Sequence, residues 1–179
     1  KNADYPDIAL DKVGRPVVAW YEAGKVYVKR WDSQAQSWLQ LGAELNLNLR
    51  VAALFPKIAI DSLNRPVVAW QEFDGIVTGN SNVYVKRWEN DSSWVSVGGA
   101  LDVNLAQEVF VPDLAIDNSD RIIVAWAEDG DPSLTNTKYD LYVKRWNGSS
   151  WVKLGNALDI NLSRSASWPS VALSSRGKL

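Results

Sequence analysis

The chain has 179 residues and a formal net charge of −2, with 46% hydrophobic and 11% aromatic residues. This balanced charge excludes the basic surface that a nucleic-acid binder presents. The absence of cysteine and histidine removes disulfides, thiolate catalysis, cysteine zinc sites and the commonest general base. No apolar run approaches the roughly 20 residues of a membrane span. We therefore expect neither nucleic-acid binding nor membrane insertion.

An internal repeat dominates the sequence. It is anchored by four prolines that follow one another at periods of 50, 56 and 57 residues: Pro6, Pro56, Pro112 and Pro169. Each of the first three is followed by the segments VAW and YVKRW, then by another Trp and a Gly. Each repeat contains four short runs rich in Val, Ile, Trp and Tyr, separated by turn residues. This pattern predicts four β-strands per repeat and no helix.

The first turn of each repeat has its own pattern. Five residues after the proline stands a side chain that bonds its own backbone to start a turn, at Asp11, Asp61 and Asp117. Three residues later comes a type that tolerates positive φ, at Gly14, Asn64 and Asp120. We expect a tight turn between the first two strands of every repeat.

Four short antiparallel strands per unit, at a period near 50 residues, are typical of β-propeller blades. The sequence therefore predicts an all-β fold with three four-stranded antiparallel blades plus the first strand of a fourth. The approximate blade boundaries are 5–54, 55–110 and 111–167, with a partial blade at 168–179. Closed propellers typically have about four to eight blades. We therefore expect part of a larger ring, completed by further blades of a longer chain or by self-association.

The repeat also carries a family resemblance across essentially the whole chain. The phrase P-x-I-A-I-D-x-x-x-R-P-V-V-A-W, with V-Y-V-K-R-W, N-G-S-S-W and a closing L-G, resembles the blade repeats of secreted bacterial β-propeller proteins. Its turn and Trp spacing is similar to the Asp-box of sialidases and to bacterial propeller lectins. The resemblance implies a secreted or cell-surface location and binding of glycans or surface polymers.

A sialidase would need a cluster of Arg from different blades, with a Tyr and an acidic partner. Here the Arg residues repeat identically in every blade, which departs from that requirement. We therefore expect no catalytic residues and no enzymatic activity.

Aromatic residues precede most of the repeat prolines and form the first candidate site. They are Tyr5, Phe55 and Trp168, while the third repeat has Val111 at this position. Their place at the start of the innermost strand predicts that they lie at the mouth of the ring. Aromatic rings there would either stack on sugar rings or form an apolar plug, and the sequence favours neither.

The connection between successive repeats holds the second candidate site. An Asn recurs there in every repeat, at Asn48, Asn104 and Asn161. Amide side chains both donate and accept hydrogen bonds, which suits them to sugar hydroxyls. They equally satisfy the backbone of a turn, and the structural interpretation is favoured on that ground.

Two further charged sets repeat with each blade. One follows VAW, at Glu22, Glu72 and Glu128, and the other is the Lys-Arg pair of YVKRW. We interpret both as structural. Glu22 is expected to form a cross-strand ion pair with Lys25, and the Arg residues are expected to stack on Trp and pair with acidic residues.

The long loop between Asp129 and Asp140 is the one segment that suggests a metal. Its oxygen-bearing residues could coordinate Ca²⁺, but it lacks the spacing of a known calcium loop. We otherwise expect no metal and no cofactor.

Three functional hypotheses follow. The first is a non-catalytic extracellular module that recognises a glycan or cell-surface polymer through sites repeated in each blade, which would gain avidity. The second is a protein-interaction or architectural scaffold, because the fold alone does not determine function. The third is a fragment of a sialidase-like glycoside hydrolase.

Overall fold

The computed structural model describes residues 2–75, 80–105, 107–130, 138–161 and 163–173. This part of the chain contains the strands β1 (Ala3–Leu10), β2 (Pro16–Glu22), β3 (Lys25–Asp32), β4 (Ser37–Gln40), β5 (Ala53–Ile60), β6 (Pro66–Phe73), β7 (Ser81–Glu89), β8 (Ser93–Ser96), β9 (Val109–Ile116), β10 (Ile122–Asp129), β11 (Tyr139–Trp146) and β12 (Trp151–Lys153). They form three antiparallel sheets of four consecutive strands each, and the predicted all-β fold of propeller blades is confirmed. Within the described ranges, no helix is long and apolar enough to cross a membrane.

The turn after the first strand of each sheet forms as predicted. Asp11 Oδ1 accepts the backbone N–H groups of Val13 and Arg15 at 3.0 and 2.8 Å, and its Oδ2 accepts Arg15 Nε at 2.7 Å. Burial on its own would raise the pKa of Asp11, but these donors hold it below its ordinary value. The turn repeats at Asp61 and Asp117, and the positive φ expected three residues later is confirmed at Gly14, Asn64 and Asp120.

The hydrophobic core lies between neighbouring sheets. One cluster joins the first and second sheets around Trp70, and another joins the second and third around Trp126. Both indoles are fully buried, whereas Trp20, at the same repeat position in the first sheet, is only partly buried. The sheets therefore stack face to face, and each core Trp is covered by the preceding sheet.

Three crossovers leave the outer strands and lead to the next inner strand. They comprise residues 41–52, residues 97–108 (106 is outside the described part) and residues 154–167 (without 162). The inner strands β1, β5 and β9 lie side by side. The N–H of Ile58 joins the first two by donating to Asp7 Oδ2 at 2.7 Å.

The predicted first strand of a fourth blade lies beside β9. Val171 N donates to Asp113 Oδ2 at 2.6 Å. This bond is equivalent in the repeat to the one that Ile58 N makes with Asp7 Oδ2. Residues 168–173 nevertheless form no strand, since no second strand pairs with them in the described part of the chain. Residues 174–179 lie outside the described residues.

Candidate functional site

Each inner strand contains a bulge that ends at a repeat proline. Two residues, Tyr5 and Pro6, lie between the pairs Asp4↔Tyr21 and Asp7↔Ala19, and the second inner strand has the same irregularity around Phe55. Tyr5 has a φ of 52° and Phe55 a φ of 51°. This left-handed conformation is costly for bulky residues, so it persists only where the surroundings impose it. The bulge turns these side chains out of the regular strand alternation.

The bulges bring four aromatic rings into one row, which we call the inner aromatic row: Tyr5, Phe55, Phe110 and Trp168. The ring centroids of Tyr5 and Phe55 are 4.5 Å apart. Phe110 lies 5.1 Å from Phe55 and 5.8 Å from Trp168, in edge-on geometry with both. These separations are those of directly interacting aromatic pairs. The row therefore crosses the three inner strands and reaches the segment beyond them.

Both ends of the row are open to solvent. Tyr5 is 50% exposed and Trp168 is 65% exposed, while Phe55 and Phe110 between them are partly buried. A depression of about 280 Å³ is lined by three rings of the row, Tyr5, Phe55 and Trp168, and Lys57 is the one charged residue among the described residues of its lining. Lys57 Nζ lies 4.0 Å from Asp113 Oδ1. The surface is thus mainly apolar and aromatic.

The structure brings together the three aromatic residues that the sequence singled out, and it adds Phe110. The repeat alignment places Val111 at the bulge of the third inner strand, with a φ of 45°, and Val111 is buried. Phe110, one residue earlier, pairs with Ala127 and its ring lies between those of Phe55 and Trp168. The sequence did contain one indication of this role for Phe110, because an aromatic residue stands directly before the repeat position that Val111 occupies.

A hydrogen-bonded pair adjoins the row. Tyr139 lies 6.0 Å from Phe110, ring to ring, and its hydroxyl donates to Glu108 Oε2 at 2.7 Å. Burial, reinforced by the bond to Glu108, raises the pKa of Tyr139 above its ordinary value. The phenol therefore stays protonated and keeps its donor on the carboxylate at neutral pH.

The three predicted Asn residues lie exposed in the crossovers. Asn48 Oδ1 accepts the N–H of Arg50 at 3.0 Å, and Asn161 Oδ1 accepts Ser163 N at 3.0 Å and Ser163 Oγ at 2.7 Å. The backbone N–H of Asn104 donates to Glu128 Oε1 at 2.5 Å. In the first and third crossovers the amide oxygen thus bonds to the turn, and a role in sugar binding stays a prediction.

The repeated Glu residues bind the preceding crossover. Glu72 is buried and accepts Trp70 Nε1 at 2.8 Å, Leu47 N at 3.0 Å and Asn48 N at 2.7 Å. Glu128 does the same for the second crossover.

The expected ion pair between Glu22 and Lys25 is wrong, although the two residues are cross-strand partners. Glu22 accepts Trp20 Nε1 instead, and Lys25 donates to the Leu49 carbonyl.

The Lys-Arg pairs are also structural, with one difference from expectation. Lys, and not Arg, lies over the Trp ring, at 5.8 Å for Lys86 on Trp70. Lys86 Nζ also donates to the Leu45 carbonyl at 2.6 Å, across the sheet boundary. Arg30 reaches the next sheet, with Nη1 at 3.4 Å from Asp91 Oδ1.

The calcium hypothesis depends on a loop of which residues 131–137 lie outside the described residues. At its ends, Asp129 and Asp140 are both buried, and Asp129 Oδ1 accepts Lys138 N at 3.3 Å. In the part of the chain that the structure describes, no three acidic side chains form a group that could hold a metal ion. The possibility of calcium stays a prediction.

Comparison with known proteins identifies the fold but no family. No protein-family model matches the chain, and no curated protein matches its sequence. Solved structures do match. A protein of unknown function from Dyadobacter fermentans matches with a TM-score of 0.68 at 14% identity. The alignment covers 98% of this chain and 60% of the Dyadobacter chain.

Two polysaccharide-active enzymes match as well. The α-L-arabinanase of Penicillium chrysogenum, complexed with arabinobiose, has a TM-score of 0.61 at 14% identity and covers 87% of this chain. An ulvan lyase of polysaccharide lyase family PL25 has a TM-score of 0.61 at 10% identity and covers 91%. The chain spans 48% and 45% of these two enzymes, respectively, or about half their length.

These matches overturn the expectation that the chain is not an enzyme. That expectation rested on the absence of His and Cys and on the repetition of Arg, yet the same architecture occurs in a hydrolase and a lyase. At such low identity the likeness itself shows the fold alone.

Proposed function

We propose that this chain binds a polysaccharide along the inner aromatic row and forms the glycan-contacting surface of a polysaccharide-acting propeller. The observation that carries the proposal is the row itself: four contacting rings, exposed at both ends, beside a depression of about 280 Å³. Exposed contiguous aromatic surface marks a binding site far more often than isolated exposed residues do.

The chemistry of the row suits sugar rings. The C–H faces of a pyranose or furanose are apolar and stack on aromatic faces, while the hydroxyls need hydrogen-bonding partners. Tyr139 and Glu108 supply such partners next to Phe110. The left-handed backbone at Tyr5, Phe55 and Trp168 holds the rings in place before binding, which lowers the entropic cost of recognition.

Charge favours a neutral glycan. Among the residues that line the depression, Lys57 carries the one charge, and Asp113 lies beside it. An acidic polymer would need several unopposed cations, because charge-assisted hydrogen bonds provide most of the recognition of carboxylates and sulfates. The polysaccharide-acting enzymes with this fold support the substrate class. A secreted or cell-surface location is part of the proposal.

The test is calorimetric titration of the chain with linear arabinan and with ulvan, the first neutral and the second built from uronic acid and sulfated sugar. We expect binding to arabinan and at least tenfold weaker binding to ulvan. Replacing Trp168 by Ala should weaken arabinan binding at least tenfold, about 1.4 kcal/mol. Release of new chain ends is measured in the same samples, which reports directly on cleavage.

Leu63→Ala is the matched control, because Leu63 is 67% exposed, close to the 65% of Trp168, and lies outside the row. It should bind as the unaltered chain does. A chain that binds neither polymer contradicts the proposal. Full affinity in Trp168→Ala contradicts the assignment of the row, even if binding itself is observed.

A further inference from the structure

The two boundaries between neighbouring sheets use one set of contacts. At the first boundary, Trp94 Nε1 donates to the Leu41 carbonyl at 2.7 Å and Lys86 Nζ to the Leu45 carbonyl at 2.6 Å. At the second, Trp151 Nε1 donates to the Val97 carbonyl at 2.8 Å, and Lys144 Nζ bonds to Leu101. A buried Glu of the later sheet accepts two backbone N–H groups of the crossover in both cases.

The first sheet carries the same donors and acceptors without a crossover. We call this surface the open face, and it consists of Trp20, Glu22, Lys29 and Trp38. Within the described part of the chain, Glu22 accepts the Trp20 indole N–H and no backbone N–H, and Lys29 lies over the Trp20 ring without a carbonyl partner. Two depressions of about 330 and 420 Å³ lie where the crossover lies at the other boundaries.

The third crossover is the matching element. Leu158 is 56% exposed, whereas Leu45 and Leu101 at the same repeat position are 0% exposed. A Cβ on Gly155 would meet no atom of the described residues within 4 Å, whereas one on Gly42 would meet Trp88 at 2.9 Å. Ile160, whose counterparts donate their N–H to Glu72 and Glu128, is fully exposed.

At Leu158 the third crossover makes the backbone hydrogen bond that both docked crossovers make. Leu158 N donates to the Leu141 carbonyl at 2.9 Å, as Leu45 N donates to Val26 at 2.9 Å and Leu101 N to Val83 at 3.0 Å. Docking would therefore need no rearrangement of the backbone at Leu158, which limits the entropic cost.

We propose that the open face binds the third crossover of a second copy of this chain. Glu22 then accepts the N–H groups of Ile160 and Asn161 of that copy, Lys29 takes the Leu158 carbonyl, and Trp38 takes the Leu154 carbonyl. Such a contact joins two different surfaces, so it closes only if the rotation allows a ring. Two enzymes with this fold, the arabinanase and the ulvan lyase, are about twice as long as this chain, which matches the length of a pair.

One segment changes place in this pair. Residues 169–173 occupy the position beside β9 that the inner strand of the second copy would take, and Val171 N holds Asp113 Oδ2 there. Ile8 of the second copy replaces Val171, because both belong to the pattern Pro-x-Ile/Val-Ala-Leu. The N–H of Ile8 then donates to Asp113 in place of the N–H of Val171, so no hydrogen bond is lost. The free-energy cost of the exchange is therefore small compared with the gain from the surface that docking buries.

The test is the solution mass of the full chain by light scattering, at concentrations up to the millimolar range. We expect twice the mass of the single chain. Leu158→Arg places a charge in the crossover and Lys29→Glu removes a donor from the open face, so each variant alone should show the single-chain mass. An equimolar mixture of the two should regain the doubled mass, because one intact face meets one intact crossover.

Leu105→Arg is the control, since this residue stays exposed although its crossover is docked in the structure. It should keep the doubled mass. The proposal is overturned by a single-chain mass for the unaltered protein, by a doubled mass in Leu158→Arg alone, or by a mixture that does not pair. The inference does not rest on glycan binding. Because pairing displaces the segment that follows Trp168, the polysaccharide titrations are repeated in Leu158→Arg, so that either proposal can fail without the other.

Discussion

Glu72 accepts the backbone N–H of Asn48 at 2.7 Å, from a crossover that belongs to the preceding sheet. Its carboxylate also receives the N–H of Leu47 and the indole of Trp70, and the side chains of Glu72 and Trp70 are both buried. A buried carboxylate with several donors is strongly stabilising as long as its partners remain. The contact thus locks one blade to the next and sets the path of the chain into the inner strand.

Replacing Glu72 by Ala should lower the free energy of unfolding by about 3 kcal/mol, because it leaves the buried Trp70 indole and two N–H groups of the crossover without their acceptor. Glu22→Ala is the matched comparison, since Glu22 receives only the Trp20 indole among the described residues. Its cost should be about 1 kcal/mol or less. Urea unfolding followed by Trp fluorescence measures both, in the Leu158→Arg background that keeps the open face uncovered. Equal losses would contradict this account.

Asp102 makes stability depend on pH. Burial raises its pKa to about 7 from an ordinary 3.8. Val83 N donates to Oδ1 at 2.9 Å, but Oδ2 has no hydrogen-bond partner among the described residues. Because the folded state holds the proton more tightly than the unfolded state, stability falls as pH rises from about 4 to 7 and then levels off.

Asp102→Asn should remove this loss. Asn46 occupies the equivalent place in the first crossover, and its amide donates to the carbonyls of Gly24 and Val51 at 3.0 and 3.1 Å. Above pH 7 the variant should be more stable than the unaltered chain, by up to about 4 kcal/mol. Below pH 4 the two should differ little. Unfolding free energies measured across this range would contradict the assignment if the difference did not grow with pH.

The hairpin between β2 and β3 contains backbone strain that a substitution by glycine can relieve. Its two loop residues, Ala23 and Gly24, have φ values of 53° and 85°, and only glycine adopts such values freely. Ala23→Gly should therefore raise the free energy of unfolding by about 0.5–1 kcal/mol. Ala35→Gly in the next hairpin, where φ is not positive, should lower it. Thermal unfolding of the two variants measures both changes. A lower free energy of unfolding in Ala23→Gly would contradict the presence of backbone strain at Ala23.

Close packing at Gly42 gives a fourth prediction. Its φ is +68°, and an added Cβ would lie 2.9 Å from Trp88 and 3.1 Å from Trp94. Gly42→Ala should cost about 3 kcal/mol, because it adds overpacking to backbone strain. Gly155 has a similar φ, +78°, and no neighbour within 4 Å in the described part of the chain, so Gly155→Ala should cost only about 1 kcal/mol. Chemical unfolding in the Leu158→Arg background compares them, and equal costs would rule out the packing contribution.

The candidate site was only partly accessible from the sequence. Tyr5, Phe55 and Trp168 could be placed together because they share one position in a repeat. Phe110 escaped because the repeat alignment selects Val111, and only the bulge at Val111 brings the preceding ring into the row. The partner of Glu72 escaped for a related reason: it is a backbone N–H, which no sequence pattern identifies.

The sequence by itself determined the strands, the turns and the repetition of the blade. These features depend on short-range chemistry, such as Asp11 bonding to Val13 and Arg15, and on apolar alternation that repeats at nearly constant spacing. The tertiary structure alone decided which faces meet, which carboxylates are buried and which aromatic rings touch. Those outcomes depend on packing between sheets, where the partners of a residue are 24 or more positions away in the chain and their identity follows from the geometry of the bulge and the crossover.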